Sequence, residues 1–596
     1  MRNLSAFESP LELQYRQDPY MDAWILHFMT ENNLEHQLNP QINASPEQLR
    51  FMVALKEEQV FVPCPDEELR QLFSSRVTPE LQAAYNRQWR RLAGFVHQNV
   101  QDRYLWRRII ALCRHKYRMV LASPFIIPSR LMKRFLDIFL TQTSLIDPLQ
   151  EEKALFNQRA QQFIDSKRLQ DLLDVCPEDA QSCTSMHALR RNLDLEELRR
   201  LMCLATLKEI WEKPSTSLKL DSEVVLQSCP EAKEVLNAVL PARSTKDQGL
   251  KILFLPDQSG GIMLDFLIVD ALLKQGHKVV LALKEGFYFQ APTFWDFEKD
   301  QVLAQGVERA RQIAQSQISK NELLQQLKEN SFLMISDGTR ERLNLYRVSV
   351  TFARAWKESD LILAKGLDNY KQLILNSHEF SRDILSFYRE NGHLQLEFKA
   401  KSNQAVQYTE VQLLAKAEEI IQKMRQVKAQ GKKVLFYSAI IGSIPGQTST
   451  AIRVLHAYVH YLRNRLPKTL VINPAEYFEP GLDADDLMYM WEKVQRSGLI
   501  DIWRFQSVQD IEKSFELLKE EVPTVWIGKD ATFSTGCTKE MRIALEMQKV
   551  YPELQIIGPD PAKFFRRREY GIGKFFDAAI VRESPGNSVA RKIGGR

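Results

Sequence analysis

Residues 251–276 constrain the fold most strongly, because they join an apolar run, a polar turn and a long amphipathic segment. The apolar run Lys251–Leu255 is typical of a buried strand, and Pro256 ends it. Gly260 and Gly261 then allow the backbone to pass close to a ligand. A strand, a turn and a helix in this order predict a parallel sheet that binds ligands at the carboxyl ends of its strands.

Further strand and helix patterns alternate along the chain after residue 249. We predict strands at residues 277–283, 332–335 and 361–364. Polar residues follow these strands as well as the first one, and they include Asp257, Asp337 and Lys365. Because the ends of parallel strands converge, two carboxylates and a lysine are expected to form one polar pocket for a metal and a phosphoryl group.

The remaining regions have different patterns. Residues 1–240 have apolar residues three and four apart and are predicted to form a helical domain. Residues 241–405 are predicted to form an α/β domain, which begins with a polar linker at residues 241–249. Residues 406–430 are predicted to be a helical connector. Residues 431–596 are predicted to be a second, doubly wound Rossmann-like domain with strands at 433–437, 469–473, 500–503, 524–528 and 554–558. The predicted fold class is therefore α/β throughout the second half of the chain.

Composition excludes several classes of protein. The formal net charge of +5 is small for 596 residues and gives no support for nucleic-acid binding. The seven cysteines include no CxxC pair and no zinc-like spacing, which is typical of reduced thiols in the cytoplasm. No apolar run approaches the length of a membrane span, so we expect neither export nor membrane insertion.

Three segments at the predicted strand ends resemble one known family. PDQSGG, KEGFYFQA and SDLILAKGLDNY are similar to motifs of the damage-control metal-dependent phosphatases, which include the so-called acidic-residue methyltransferases. The helical stretch IDPLQEEKALFNQRA, with Lys153 and Asn157 on one face, is similar to a helical motif of the same family. The resemblance covers roughly residues 80–405. It implies hydrolysis of a small phosphorylated metabolite with a divalent metal such as Mn, Co, Ni or Mg.

The implied metal site departs from the family pattern. Asp257 matches the first ligand, but Gln258 stands in place of Asn and Ala291 in place of a second Asp. Gln keeps an amide oxygen one methylene further out, whereas Ala has no donor atom. Asp296 could substitute if the loop is rearranged, and Asp265 is another nearby carboxylate. The implied metal ligands are therefore Asp257, Gln258 and Asp296.

These observations leave three hypotheses for function. In the first, a metal-dependent phosphatase uses Asp257 and Lys365 as catalytic residues. The residues that would shape its phosphate site are Gly260, Gly261, Asp337, Gly338 and Asn369. In the second, a pseudoenzyme binds an anion, a nucleotide or, through its C-terminal domain, a protein partner. The third, a two-domain sugar or nucleotide transferase, rests on fold analogy alone.

Overall fold

The computed structural model describes residues 9–34, 46–56, 58–74, 77–213, 231–240, 249–444, 447–479, 481–568 and 574–576. Residues 241–248, most of the predicted linker, lie outside this described part. The chain forms two compact units, Met1–Ala405 and Val406–Arg596. The finer division predicted from the sequence, into residues 1–240, 241–405, 406–430 and 431–596, stays a prediction.

Helices fill most of the described part of the first 240 residues. Two of these helices begin after a capping residue followed by proline: Asp18 precedes Pro19, and Thr78, which accepts a hydrogen bond from the Leu81 N–H, precedes Pro79. The helices of the first unit are Pro19–Asn32, Pro46–Arg50, Asp66–Leu72, Pro79–Asn99, Arg103–Ala122, Pro128–Thr143, Gln150–Ile164, Lys167–Leu173, Met186–Ala205, Glu209–Glu212, Glu231–Val239, Gly261–Lys274, Gln301–Val307, Lys320–Glu329, Val350–Glu358 and Leu367–Leu373.

A seven-stranded sheet forms the centre of the first unit. Its strands are β1 (Lys251–Leu255), β2 (Lys278–Leu283), β3 (Arg311–Ile313), β4 (Phe332–Ser336), β5 (Leu361–Lys365), β6 (Asp383–Glu390) and β7 (His393–Lys399). They lie in the order β3-β4-β2-β1-β5-β6-β7, and every pair is parallel except the hairpin of β6 and β7. Because β1 pairs with both β2 and β5, the chain reverses its direction of winding beside β1, where doubly wound sheets bind ligands.

Alternate residues of the central strands face two different apolar cores. Leu253 and Leu255 pack with the helices Pro79–Asn99 and Pro128–Thr143, whereas Ile252 and Phe254 pack with Met186–Ala205 and Gly261–Lys274. The period of two along a strand requires this alternation. Helices therefore cover both faces of the sheet, and the predicted α/β fold class is confirmed.

The second unit contains a smaller parallel sheet. Its strands are β8 (Lys433–Ser438), β9 (Thr469–Ile472), β10 (Ile502–Phe505) and β11 (Gln555–Ile557), in the order β11-β10-β8-β9. A short antiparallel pair, β12 (Arg566–Arg568) and β13 (Lys574–Phe576), follows. The described helices of the second unit are Glu410–Ala429, Thr448–Arg465, Ala484–Gln495, Val508–Leu518, Thr535–Val550 and Pro561–Phe564.

One predicted strand of the second unit is wrong. Residues 524–528 contain the 3-10 helix Thr524–Trp526 instead of a strand. The Trp526 N–H donates to the Pro523 carbonyl, and the buried indole donates to Gln447 Oε1 at 3.2 Å, so burial of the ring is achieved by a turn. The predicted connector at 406–430 is the helix Glu410–Ala429, whose apolar residues belong to the core of this unit. No described helix is long and apolar enough to cross a membrane.

Candidate functional site at the carboxyl ends of the strands

A buried lysine joins two carboxylates beside β1. Lys365 is the last residue of β5, and its Nζ lies 3.1 Å from Asp257 Oδ1. The same Nζ donates to both oxygens of Asp265, at 2.8 and 3.0 Å. The side chains of Lys365 and Asp265 are 0% exposed, whereas that of Asp257 is 24% exposed. The predicted convergence of Asp257 and Lys365 is therefore present in the structure, with Asp265 as a third member.

The electrostatics of this group keep the lysine charged. Burial lowers the pKa of Lys365, but the charges of Asp257 and Asp265 outweigh burial and raise that pKa above its ordinary value. Burial raises the pKa of Asp265 to about 7, against the opposing attraction of Lys365. The ammonium of Lys365 is thus a fixed internal positive charge.

Two glycines make this close approach feasible. A Cβ at Gly261 would lie 2.7 Å from Lys365 Nζ, and a Cβ at Gly366 would lie 2.7 Å from Asp257 Oδ2. Gly366 also has a φ of +91°, which L-residues rarely adopt. Gly260, predicted to bind phosphate, packs against the ring of Trp211. Close packing against Lys365 therefore accounts for a glycine at position 261. A phosphate-binding role for Gly260 and Gly261 stays a prediction.

The helix Gln150–Ile164 holds the loops of the site in place. Asn157 accepts a hydrogen bond from the Gly260 N–H at 2.5 Å and donates to Asp300 at 2.7 Å. One turn earlier, Lys153 donates to Asp147 at 2.6 Å and to Asp296 at 3.4 Å. Lys153 and Asn157, which share one face of the helix as expected, thus connect it to the loop that contains Gly260 and to the segment that contains Asp296 and Asp300.

A cavity of about 330 Å³ opens beside the exposed part of Asp257. It is lined by Ala205, Thr206, Lys208, Trp211, Pro256, Asp257, Gln258, Lys284, Tyr288, Ala291, Arg342, Leu343, Gly366, Leu367, Asp368, Asn369, Tyr388 and Arg389. Three predicted site residues, Asp257, Gln258 and Asn369, lie in this wall. The Asn369 amide donates to the Lys365 carbonyl at 2.8 Å, which fixes its position after β5.

Other predicted site residues lie outside the wall of this cavity. Lys365 is buried beneath it, so its ammonium has no direct access to a bound phosphate. Asp337 accepts from Lys284 Nζ at 2.6 Å and from the Thr339 N–H at 2.7 Å, and Gly338 follows it in this turn with φ of +78°. Asp337 thus positions a cavity lysine without lining the cavity.

Sequence reasoning missed four basic residues of the cavity. Lys208, Lys284, Arg342 and Arg389 come from four different segments of the chain, so no short motif joins them. A signal existed for Lys284 alone, because it begins the KEGFYFQA segment directly after a predicted strand.

The residues present do not fit the divalent metal that the family resemblance implies. Of the three cavity positions that match the family's metal ligands, Asp257 and Gln258 have side-chain oxygen atoms, but Ala291 has none. Asp296, the expected replacement, accepts from the Thr293 N–H at 2.8 Å, from the Thr293 hydroxyl at 2.6 Å and from Lys153, and it does not line the cavity. Nowhere in the described part of the chain do three His, Cys, Asp or Glu side chains form a group that could hold a metal ion.

Comparisons with known proteins point to the family that the sequence motifs resemble. No curated protein matched the sequence. A solved structure that does match, a DUF89 family protein from Pyrococcus horikoshii, is 19% identical, with 53% of this chain and 92% of that chain covered and a TM-score of 0.32. The sequence model of the damage-control phosphatase ARMT1-like domain matches residues 105–430, more than half of the chain. Members of this family are generally metal-dependent phosphatases. The chain therefore belongs to the ARMT1-like damage-control phosphatase family.

Proposed function

We propose that the first unit binds a small phosphorylated metabolite in the cavity beside Asp257. The observation that carries this proposal is the cavity wall, in which four basic side chains outnumber the two carboxylates, Asp257 and Asp368. Basic side chains form strong charge-assisted hydrogen bonds with phosphate oxygens. Membership of a phosphatase family supports a phosphorylated ligand.

Binding without metal-dependent hydrolysis is the form of this function that the geometry supports best. Asp257 is already paired with Lys365, and the other carboxylate of the wall, Asp368, lies 3.5 Å from Arg342. An ionised carboxylate is an acceptor, so the exposed oxygen of Asp257 suits a hydroxyl of the ligand better than a second anion. The transferase hypothesis, a protein partner of the second unit and a cytoplasmic location stay predictions.

Calorimetric titration tests this proposal directly. We expect glucose 6-phosphate, but not glucose, to bind the full chain in EDTA. Excess Mn²⁺ is expected neither to change the affinity for glucose 6-phosphate nor to cause its hydrolysis. Release of inorganic phosphate that requires Mn²⁺ and is abolished by Asp257→Asn would instead support the metal-dependent phosphatase. No binding of any phosphorylated compound would contradict the proposal.

A further inference from the structure

The charges around the cavity are compensated at one end and uncompensated at the other. On the side of β2 and β4, Lys284 is neutralised by Asp337, and Arg342 Nη2 lies 3.5 Å from the carboxylate of Asp368. In the middle, Asp257 is paired with Lys365, which Asp265 shares. On the side of β6, Lys208 and Arg389 form no ion pair with any residue that the structure describes.

Arg389 is held in place by neutral groups. Its Nη1 donates to the Gly392 carbonyl and its Nη2 to the Cys203 carbonyl at 3.3 Å. Its Nε is buried and has no hydrogen-bond partner in the described part of the chain. A buried donor without an acceptor is costly, and an arginine held only by neutral groups retains its full positive charge. Arg389 is therefore fixed in the cavity wall, and its positive charge is not offset by an ion pair with any described carboxylate.

Lys208 lines the same cavity as Arg389. It precedes the short helix Glu209–Glu212, only five residues after Cys203, which Arg389 contacts. Its side chain is exposed and lines the cavity. Lys208 and Arg389 thus add two uncompensated positive charges to the cavity wall, and these attract a group of up to two negative charges.

We propose that Lys208 and Arg389 bind the anionic group of the ligand, at the β6 end of the cavity. This inference rests on the proposed function and specifies where the phosphoryl group lies. Arg389 is on β6, two strands from β1, so its backbone is about 10 Å from that of Asp257 at the usual strand spacing. The uncharged part of the ligand then lies beside Asp257 and Gln258, and the phosphoryl group is held away from that carboxylate.

Competition with inorganic phosphate separates this arrangement from one centred on Asp257. We expect Lys208→Gln and Arg389→Gln each to weaken phosphate binding about tenfold or more. Asp257→Asn should not weaken phosphate binding, because this change removes a negative charge from the cavity wall and no donor to phosphate. The matched control is Lys213→Gln, which removes an exposed lysine outside the cavity wall and should have no effect.

The outcomes of this experiment are distinct. Lys208 is exposed, so Lys208→Gln remains informative even if Arg389→Gln disturbs the β6–β7 hairpin. Wild-type affinity in Lys208→Gln, with loss of binding in Asp257→Asn or Arg342→Gln, would overturn this inference and leave the proposed function intact. Failure of the wild-type protein to bind phosphate or glucose 6-phosphate would overturn the proposed function itself.

Discussion

At the scale of single residues, Lys365 is an internal counter-ion. The sequence correctly indicates that this lysine follows a strand next to Asp257, because strand ends converge in a parallel sheet. It cannot indicate that the side chain turns beneath the cavity, because this depends on Asp265, which lies on a helix a hundred residues earlier in the chain. The sequence also gives no sign that Lys208 and Arg389 line one cavity, since only the fold brings these distant positions together.

Removing the buried ammonium should destabilise the first unit strongly. Lys365→Met would leave Asp257 and Asp265 facing each other without a positive charge. We expect the free energy of unfolding to fall by about 3–5 kcal/mol, as for other buried pairs that lose one partner. Urea denaturation measures this change, and Lys213→Met, at an exposed position, should cost less than about 0.5 kcal/mol. Equal losses in the two variants would refute the role of Lys365 as a buried counter-ion.

Two substitutions should create a metal site that the native residues lack. Gln258→Asn and Ala291→Asp together would add a second carboxylate beside Asp257, since all three positions line the cavity. We expect Mn²⁺ to stabilise the double variant by about 2.7 kcal/mol at a hundred times its Kd, and to have no effect on the wild-type protein. Thermal unfolding with and without Mn²⁺ provides the measurement. Equal stabilisation of both proteins would reveal a different set of ligands.

At the scale of elements, continuous apolar runs were the reliable signal. The predicted strands at β1, β2, β4 and β5 differ from the structure by at most one residue at either end. The β6–β7 hairpin was not predicted, although Asn391 and Gly392, with φ of +51° and +84°, are the residues typical of a tight hairpin turn. Residues 524–528 misled the prediction because an apolar run can be buried in a turn as well as in a strand.

The loop before β6 should make stability depend on pH. Burial and the charge of Lys399 lower the pKa of His378 to about 3, and His378 Nε2 accepts from the Val62 N–H at 3.0 Å. Between about pH 3 and pH 6.5, His378 therefore binds a proton in the unfolded chain but not in the folded unit. This contribution to stability is complete above the ordinary pKa of about 6.5 and is lost as the pH falls toward about 3, at about 1.4 kcal/mol per pH unit.

Comparison with His378→Gln isolates this contribution. The glutamine can still accept from the Val62 N–H but cannot become charged, so its free energy of unfolding should fall less between pH 7 and pH 4 than that of the wild-type protein. His393→Gln, at an exposed position, should retain the wild-type pH dependence. Identical pH dependence in His378→Gln and the wild-type protein would show that His378 is not buried in its neutral form.

At the scale of the whole molecule, the boundary between the two units determines which fragments can fold. The helix Glu410–Ala429 contributes Ala417, Ile420, Ile421 and Met424 to the core of the second unit. Its first turn is stabilised by a capping box between Thr409 and Gln412. Sequence periodicity identified this helix but not the core to which it belongs, because the contacts that define that core are distant along the chain.

A fragment of residues 406–596 should therefore fold, and a fragment of residues 431–596 should not. The shorter fragment exposes the apolar core residues that this helix covers, which costs about 1.5–3 kcal/mol for each large side chain. Circular dichroism on heating should show a cooperative transition for the longer fragment alone. Cooperative unfolding of both fragments would place the boundary at residue 431, as the sequence suggested.

The complete burial of Lys365 has a further consequence for its chemical reactivity. An amine-specific acylating reagent needs a free, accessible amine, and Lys365 offers neither while its Nζ is enclosed by Asp257 and Asp265. Lys208 and Lys213 are exposed, so we expect both to be modified in the native protein. Lys365 is modified only when the first unit opens, so the rate at which mass spectrometry detects its acylation reports how often that opening occurs.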